Sequence, residues 1–272
     1  MKNKELIIKA LEKTAIPALH ITAVSDETVT YLSSKFGGDF YLPQGQKIPV
    51  SPEGEELNFL AQINFSETEL LEGFPKQGIL QFFVDTNEEH FFDKLEDEEL
   101  KKELYEIRYY PNPDKTLQQT IIYQKKNENR NDLRTLWLEG KMSFQKEQEI
   151  TNLSIYMDSQ TPWEELGNSL RKKLPSLISK AGYDLENDEE DTDEFFWDFG
   201  NWGCKAGGYP AVRQGDIRDD YEEYTSYTTL LFQYDFTTRE ELEEDTFVFF
   251  IKPEDLEACR FDNVLLYWHN CY

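Results

Sequence analysis

A glycine-containing signature occurs twice in this chain, and the repeat constrains the fold more than any other sequence feature. The pattern Lys-x-Gly-Gly-x5-Gln-Gly covers Lys35–Gly45 and recurs at Lys205–Gly215 with the same internal spacing and no gap. Two further blocks follow each copy in the same order: Leu57–Glu72 aligns with Thr228–Glu243, and Gly78–Val84 aligns with Asp245–Ile251. Two copies are too few for a solenoid, so the sequence predicts two similar halves related by a pseudo-twofold axis.

Each copy carries the same succession of local structures. Apolar and polar residues alternate at the start of the second block in both copies, which is the period of a β-strand. Each strand then runs into a capping box, Ser66-x-x-Glu69 or Thr237-x-x-Glu240, which predicts a short helix. A compact apolar strand follows in both copies. The predicted fold class is α+β and internally duplicated, with mainly antiparallel sheets, strand–short helix–strand units and a few flanking helices.

The chain is long enough, and rich enough in aromatic residues, to bury a substantial core. It has 272 residues, among them 19 Phe, 15 Tyr and 5 Trp, which excludes a disordered acidic tail. We expect one compact domain, 1–272, made of two similar halves at approximately 15–150 and 151–272.

Three segments outside the repeated blocks carry their own signals. Apolar spacing over residues 3–14 predicts an amphipathic helix. A cap at Thr161 with a proline at the next position begins a long helix, for which we expect a kink or an end at Pro175. Residues 184–198 contain nine acidic residues and no basic one, and we expect an exposed loop there.

The charge balance limits the classes of partner. The chain has 54 acidic and 28 basic residues, a formal net charge of -26. A field of this sign repels nucleic-acid phosphates and anionic membrane surfaces and favours a basic protein. Lysines at positions 2, 4, 9 and 13 interrupt the apolar residues near Met1, and the three cysteines are widely spaced. We therefore expect a cytoplasmic protein that binds neither nucleic acid nor a membrane.

The glycine motifs and the strands after them resemble the YwqG-like family of bacterial proteins, which has no known function. The resemblance rests on both Gly-Gly motifs, the strands FLAQINF and GILQFF, and GGYPAVRQGD, which includes Gly207, Gly208, Tyr209, Pro210 and Gln214. It covers approximately residues 15–272, and the first copy departs from it, with Asp39-Phe40 where Tyr-Pro is expected. The resemblance implies an α+β fold with duplicated halves and carries over no catalytic residue. Some relatives look to be encoded beside bacterial contact-toxin loci, which implies an immunity role.

The repeated polar positions allow two interpretations. The Gly-Gly loops could cradle an anion with backbone N–H groups, or the glycines could simply let the backbone turn and approach a neighbouring strand. Likewise, the glutamines could line a ligand groove between the halves, or each could hold loop backbone. The groove would be lined by Gln44, Gln62, Gln214, Gln233 and Tyr209.

The acidic run ends in three aromatic residues, Phe195, Phe196 and Trp197. Aromatic anchors ringed by carboxylates suit a basic protein partner, because the charges steer encounter and the rings supply affinity. The alternative is that these rings turn into the core beside Trp202.

The sequence predicts no metal site, no cofactor and no catalytic residue. The three histidines have no metal-binding spacing, and no nucleophile elbow or phosphate-binding loop is present. We expect a protein-binding module of the immunity or antitoxin type. The alternative is a small-ligand-binding protein with a groove between the halves, and an enzyme ranks last.

Overall fold

The structure is a computed structural model. It describes residues 2–24, 28–69, 71–85, 102–115, 138–153, 167–211, 216–235 and 246–269.

Ten strands of the described residues form a single sheet in which the paired strands are antiparallel. The order is β10-β9-β8-β7-β1-β6-β2-β3-β4-β5. The strands are β1 Ile16–Val24, β2 Lys35–Phe36, β3 Asn58–Asn64, β4 Ile79–Val84, β5 Tyr105–Tyr110, β6 Gly140–Glu149, β7 Cys204–Gly207, β8 Thr229–Asp235, β9 Thr246–Ile251 and β10 Leu265–His269.

Helices flank the sheet, so the architecture is a mainly antiparallel sheet with a smaller helical part. The α-helices are α1 Lys4–Leu11, α2 Gly167–Ala181, α3 Glu189–Phe199, α4 Ile217–Asp220 and α5 Pro253–Glu257. Single 3-10 turns occur at Glu12–Thr14, Phe65–Glu67, Lys102–Leu104 and Glu222–Tyr224.

The two sides of the sheet follow the same order outward from its centre. The long strands β1 and β6 pair in the middle; β2 to β5 follow on the side of β6, and β7 to β10 follow on the side of β1. A bulge lies between Phe59 and Ala61 in β3, and another between Leu230 and Phe232 in β8. β1 therefore borders β7, which is distant from it in sequence, and β6 connects β1 to β2.

The main hydrophobic core contains residues from both runs of strands. The ring of Phe82 in β4 lies 4.5 Å from that of Phe232 in β8 and 5.0 Å from that of Phe249 in β9. Phe36 of β2 meets Tyr234 of β8 edge to face, at 5.6 Å between ring centres. Each aromatic pair of this kind stabilises the fold by about 0.5–1.5 kcal/mol beyond the contribution of its buried apolar area.

A second core lies under α1, α2 and α3. Ile7 and Leu11 of α1 and Leu174 of α2 are buried there, together with Phe195 and Phe199 of α3. Apolar residues spaced three or four apart give each of these helices one buried stripe. This core fixes α3 against the N-terminal helix.

The prediction of an exposed loop over 184–198 was wrong for residues 189–198, which lie in α3, whereas residues 184–188 are non-helical. The side chain of Asp188 accepts hydrogen bonds from the backbone N–H groups of Glu190 and Asp191, and α3 begins there. Acidic side chains in a first turn are favoured by the positive end of the helix dipole. Phe195 and Phe199, one turn apart, bury the inner face of the helix.

Two other helix predictions need correction. Of the two outcomes predicted at Pro175, a kink or an end, the end was wrong, because Pro175 lies inside α2. The predicted start at Thr161 lies outside the described residues. In the first repeat, the predicted short helix is the single turn Phe65–Glu67, and its cap is Asn64 rather than Ser66. The equivalent segment of the second repeat, 237–240, lies outside the described residues.

Within the part of the chain that the structure describes, no helix combines the length and the apolar character needed to cross a bilayer.

Candidate functional site

Gln62 is fully buried, and its amide group holds the backbone around the first Gly-Gly loop. Its Oε1 accepts from the backbone N–H of Tyr41 at 3.1 Å, and its Nε2 donates to the carbonyls of Tyr31 and Ser33 at 3.0 and 2.8 Å. Oε1 also accepts from Nε2 of Gln81 at 2.8 Å. Both amide donors and the acceptor are therefore used within the protein.

Gln233 makes the corresponding contacts in the second repeat and is also fully buried. Its Oε1 accepts from Ala211 N at 2.8 Å, and its Nε2 donates to Asn201 O and Gly203 O at 3.2 and 2.8 Å. When the two glycine signatures are aligned, each of these backbone partners occupies the position equivalent to a partner of Gln62. In both repeats, the glutamine fixes the path of the loop.

The other described residues of the predicted groove differ from these two glutamines in burial. Gln44 is exposed, whereas Gln214 lies outside the described residues. Tyr209 is half-buried, and its hydroxyl donates to Thr14 O at 2.5 Å. Pro210 is buried, and its carbonyl accepts from Asn152 Nδ2 at 2.9 Å. The described residues therefore do not bring the glutamines together on one exposed surface.

The second Gly-Gly loop binds a carboxylate of the chain itself. Gly207 and Gly208 have positive φ angles of 67° and 73°. A Cβ at Gly208 would lie 2.2 Å from Oε2 of Glu149, so only glycine allows this approach. The same Oε2 accepts from the backbone N–H of Tyr209 at 2.9 Å. One backbone N–H of the loop therefore binds Glu149, whereas the N–H of Gly208 donates to the carbonyl of Pro17 at 3.1 Å.

Glu149 also forms a buried ion pair with the lysine of the signature. Nζ of Lys205 lies 2.8 and 2.9 Å from the two carboxylate oxygens, and Nε2 of His20 lies 2.9 Å from Oε1. Burial alone would raise the pKa of Glu149, but the hydrogen bonds from His20, Lys205 and Tyr209 together hold that pKa below its usual value. Burial lowers the pKa of Lys205, and the charge of Glu149 opposes this. Glu149, His20 and Lys205 lie on β6, β1 and β7, so their contacts stabilise the place where these three strands meet.

The lysine of the first signature is buried with a different partner. Nζ of Lys35 donates to the carbonyl of Thr30 at 2.6 Å. Burial lowers its pKa to about 8, although the charges of Asp39 and Glu67 act in the opposite direction. The two loops therefore differ in how they compensate an equivalent buried ammonium group.

The three aromatic residues at the end of the acidic run have different environments. Phe195 is buried against Tyr183 and Phe199, with ring centres 5.2 and 4.9 Å away. Phe196 is half-buried, and Trp197 is 47% exposed. One ring therefore belongs to the core, and the other two lie at the surface.

Phe196, Trp197 and Trp202 form an aromatic cluster at the C-terminal end of α3. The ring centres of Phe196 and Trp197 lie 4.8 and 5.4 Å from that of Trp202. Asp193 and Glu194, both exposed, precede Trp197 by one helical turn, so they adjoin it on the helix surface. We refer to these five residues as the acidic–aromatic surface.

The position of Trp202 is fixed by two contacts. Its Nε1 donates to the carbonyl of Phe196 at 3.2 Å, which satisfies one of the carbonyls that the end of α3 leaves without a helical partner. A Cβ at Gly200 would lie 2.2 Å from the same nitrogen, so glycine is needed for the indole ring to lie there. The cluster is consequently pre-organised, which lowers the entropic cost of binding to it.

Some acidic side chains of α3 are neutralised by the N-terminal segment. Lys2 forms an ion pair with Asp191, and Lys4 forms one with Asp198. The hydroxyl of Tyr183 also donates to Asp198. The exposed carboxylates of α3 belong to the outward side of the helix, at Glu189, Glu190, Asp193 and Glu194.

The described residues contain no group of three or more His, Cys, Asp or Glu side chains that could hold a metal ion. Cys204 is buried, and burial raises the pKa of its thiol to about 12, which leaves little thiolate at neutral pH. Cys259 is exposed. Sequence patterns gave no sign of the cluster around Glu149, because Glu149 and His20 lie far from Lys205 along the chain and in no recurring spacing.

Comparison with families of known sequences identifies a family that covers most of the chain. The family described as a domain of unknown function, DUF1963, matches residues 34–271, which include both glycine signatures and the acidic–aromatic surface. A comparison with curated proteins gives no match. Because the match spans well over half of the chain, the chain belongs to this family of unknown function.

Proposed function

We propose that this chain is a protein-binding module whose partner is a basic protein, and that the acidic–aromatic surface is where the partner docks. The observation that supports the proposal most is the 47% exposure of Trp197 beside the exposed carboxylates of Asp193 and Glu194. Tryptophan is among the residues that contribute most to binding energy at protein interfaces. Exposed aromatic rings on a helix that is otherwise acidic are typical of a surface that a basic partner covers.

The net charge of -26 supports the same proposal at longer range. Summed over the molecule, it attracts cationic surfaces and repels anionic ones, and it raises the rate of encounter with a basic protein. Nucleic acids and anionic lipids are therefore not the proposed partners.

Within this class, the proposal is an immunity or antitoxin protein that masks a basic toxin in the bacterial cytoplasm. The resemblance of the GGYPAVRQGD segment to YwqG-like proteins supports it, since some of those relatives look to be encoded beside contact-toxin loci. The resemblance is an association, and the chemistry of the surface is the independent support.

We also propose that the two sides of the sheet arose by internal duplication. The equivalent bonds of Gln62 and Gln233, each to three backbone groups at matching positions of the repeat, support this. The bulges of β3 and β8 also fall at matching positions of the aligned blocks. On this view the repeat is a folding unit, and function belongs to features that only one copy carries, such as α3.

Affinity capture from the native host, with the full chain as bait, tests the proposed function. The expected result is a basic protein that is retained by the wild type and lost with Asp193→Asn/Glu194→Gln. The matched control is Glu55→Gln/Glu56→Gln, which removes the same charge from two exposed residues of the first repeat. Equal capture by both double variants would place the docking surface elsewhere, and capture of acidic partners only would refute the electrostatic basis of the proposal.

A further inference from the structure

We propose that the acidic–aromatic surface recognises an arginine side chain of the partner, with the guanidinium group stacked on the exposed indole of Trp197 and paired with the neighbouring carboxylates. This rests on the proposed function and adds the chemical identity of the group that is bound.

Three sources of negative potential coincide at Trp197. The face of an indole ring is negative because of its quadrupole. Two such rings lie side by side here, because the ring centres of Trp197 and Trp202 are 5.4 Å apart. Asp193 and Glu194 add formal charges one turn earlier on the helix. Trp197 also lies in the last turn of α3, where the helix dipole is negative and where the helix has no basic residue. Each of these features favours a cation.

The shape of the surface favours guanidinium over ammonium. A guanidinium group is planar and weakly hydrated, so it can stack on an aromatic ring while its edge donates to a carboxylate. A lysine ammonium group is compact and strongly hydrated, and it loses more on leaving water. An uncharged apolar partner would cover the carboxylates without compensating them.

The surface is also rigid enough to discriminate between these groups. Trp202 is held by its bond to Phe196 O and by the close approach that Gly200 permits. Phe196 packs 4.8 Å from it and anchors it to the helix. A pre-organised ring stack loses little conformational entropy when a cation is placed on it.

The test uses three capped peptides, identical except for arginine, lysine or citrulline at three positions, titrated into the full chain labelled with ¹⁵N at its tryptophans. The indole N–H signal of Trp197 is assigned from its loss in Trp197→Phe. We expect this signal to shift saturably with the arginine peptide, with affinity about 3- to 10-fold higher than for lysine. Citrulline, which has the shape of arginine without its charge, should bind more weakly than lysine.

Trp197→Leu separates cation–π stacking from plain apolar contact. Leucine keeps an apolar surface at an exposed position but has no aromatic face, so the arginine peptide should bind at least about 3-fold more weakly to it. Asp193→Asn/Glu194→Gln should weaken binding, whereas Glu55→Gln/Glu56→Gln should do so much less. Equal affinities for arginine and lysine, or no loss in Trp197→Leu, would overturn the inference.

The same variants distinguish failure of this inference from failure of the proposed function. A basic partner that is captured equally by the wild type and by Trp197→Leu would refute the arginine contact and leave the proposed function standing. A chain that binds the arginine peptide as expected but captures no basic protein would support the inference about the surface and refute the proposed function.

Discussion

At the scale of single residues, the signature lysines are the most unusual feature, because each places an ammonium group inside the sheet. Lys205 is fully buried, and Lys35 is almost fully buried. An isolated buried charge costs several kcal/mol, so each must be compensated nearby. For Lys205, the compensating group is the carboxylate of Glu149. For Lys35, it is the carbonyl of Thr30, and the charges of Asp39 and Glu67 also act on the pKa of Lys35.

Replacing Glu149 with glutamine should destabilise the protein strongly. The change leaves the buried ammonium of Lys205 without its carboxylate, which typically costs about 3–5 kcal/mol. The measurement is the free energy of unfolding in urea. Glu147→Gln is the control, because Glu147 lies on the same strand and its side chain is 49% exposed. We expect this variant to change the free energy of unfolding by no more than about 0.5 kcal/mol. Equal effects of the two variants would show that the ion pair does not stabilise the fold.

The pKa of Lys35 predicts how stability varies with pH. In the folded protein it is lowered from 10.5 to about 8, so between these values the unfolded state binds more protons. Stability contributed by this site therefore rises with pH from about 8 upward, by at most about 1.4 kcal/mol per pH unit, and is constant below. Lys35→Met removes the titrating group. The difference in unfolding free energy between wild type and variant, measured from about pH 7 to 9.5, should grow in favour of the wild type.

Taking the difference between the two proteins removes the contribution of groups that they share, such as the tyrosines with raised pKa values. Parallel curves for wild type and Lys35→Met over this range would contradict the lowered pKa.

At the scale of elements, the strands of the repeated blocks were predictable and α3 was not. The alternation in the repeated blocks predicts β3 and β8, and the compact apolar runs predict β4 and β9, because burial on the faces of a sheet leaves a direct pattern in sequence. The acidic run did not predict α3, because its carboxylates are distributed around the helix and only Phe195 and Phe199 mark the buried face. The capping residue Asp188 was visible, but it stands among eight other acids.

The site was predictable only in part for the same reason. The three aromatic residues could be selected from sequence, but which of them faces solvent depends on the rotation of α3, and Phe195 turned out to be the buried one. Whether an amide such as Gln62 is exposed depends on the loop that folds over it, which is fixed by contacts distant in sequence.

Gly200→Ala should disrupt the aromatic cluster while leaving α3 intact. Gly200 has an ordinary negative φ angle of -86°, so alanine brings no backbone strain, but its Cβ would collide with the indole of Trp202. We expect a changed near-ultraviolet circular dichroism spectrum and a loss of about 1–3 kcal/mol in stability. In a Trp202→Ala background, the same change should be close to neutral. A full effect in that background would place the cause outside the cluster.

At the scale of the whole molecule, strand order joins the two sides of the sheet in a way that local patterns do not reveal. β1 of the first half pairs with β7 of the second, and β6 pairs with both β1 and β2, so the two sides of the sheet are joined through β1 and β6. Such pairings depend on long-range contacts that leave no periodic signal. The sequence could predict that a pattern recurs, but not that β1 pairs with β7.

The two halves should therefore not fold independently. A fragment of residues 151–272 lacks β1, which pairs with β7, and lacks Phe82, whose ring lies 4.5 Å from that of Phe232. We expect the isolated fragment to show no cooperative unfolding transition in circular dichroism, whereas the full chain shows one. A cooperative transition in the fragment would show that the second half has a sufficient core of its own.

The central claim is that a basic protein docks on the acidic–aromatic surface, and it is tested most directly by the affinity of the full chain for the partner recovered from its host. We predict that the dissociation constant rises roughly tenfold or more between about 50 and 300 mM salt, because the encounter is between opposite charges. Trp197→Ala should raise it further at both salt concentrations, by about tenfold for a residue that contributes more than about 1 kcal/mol. An affinity that is independent of salt and unchanged in Trp197→Ala would contradict the claim.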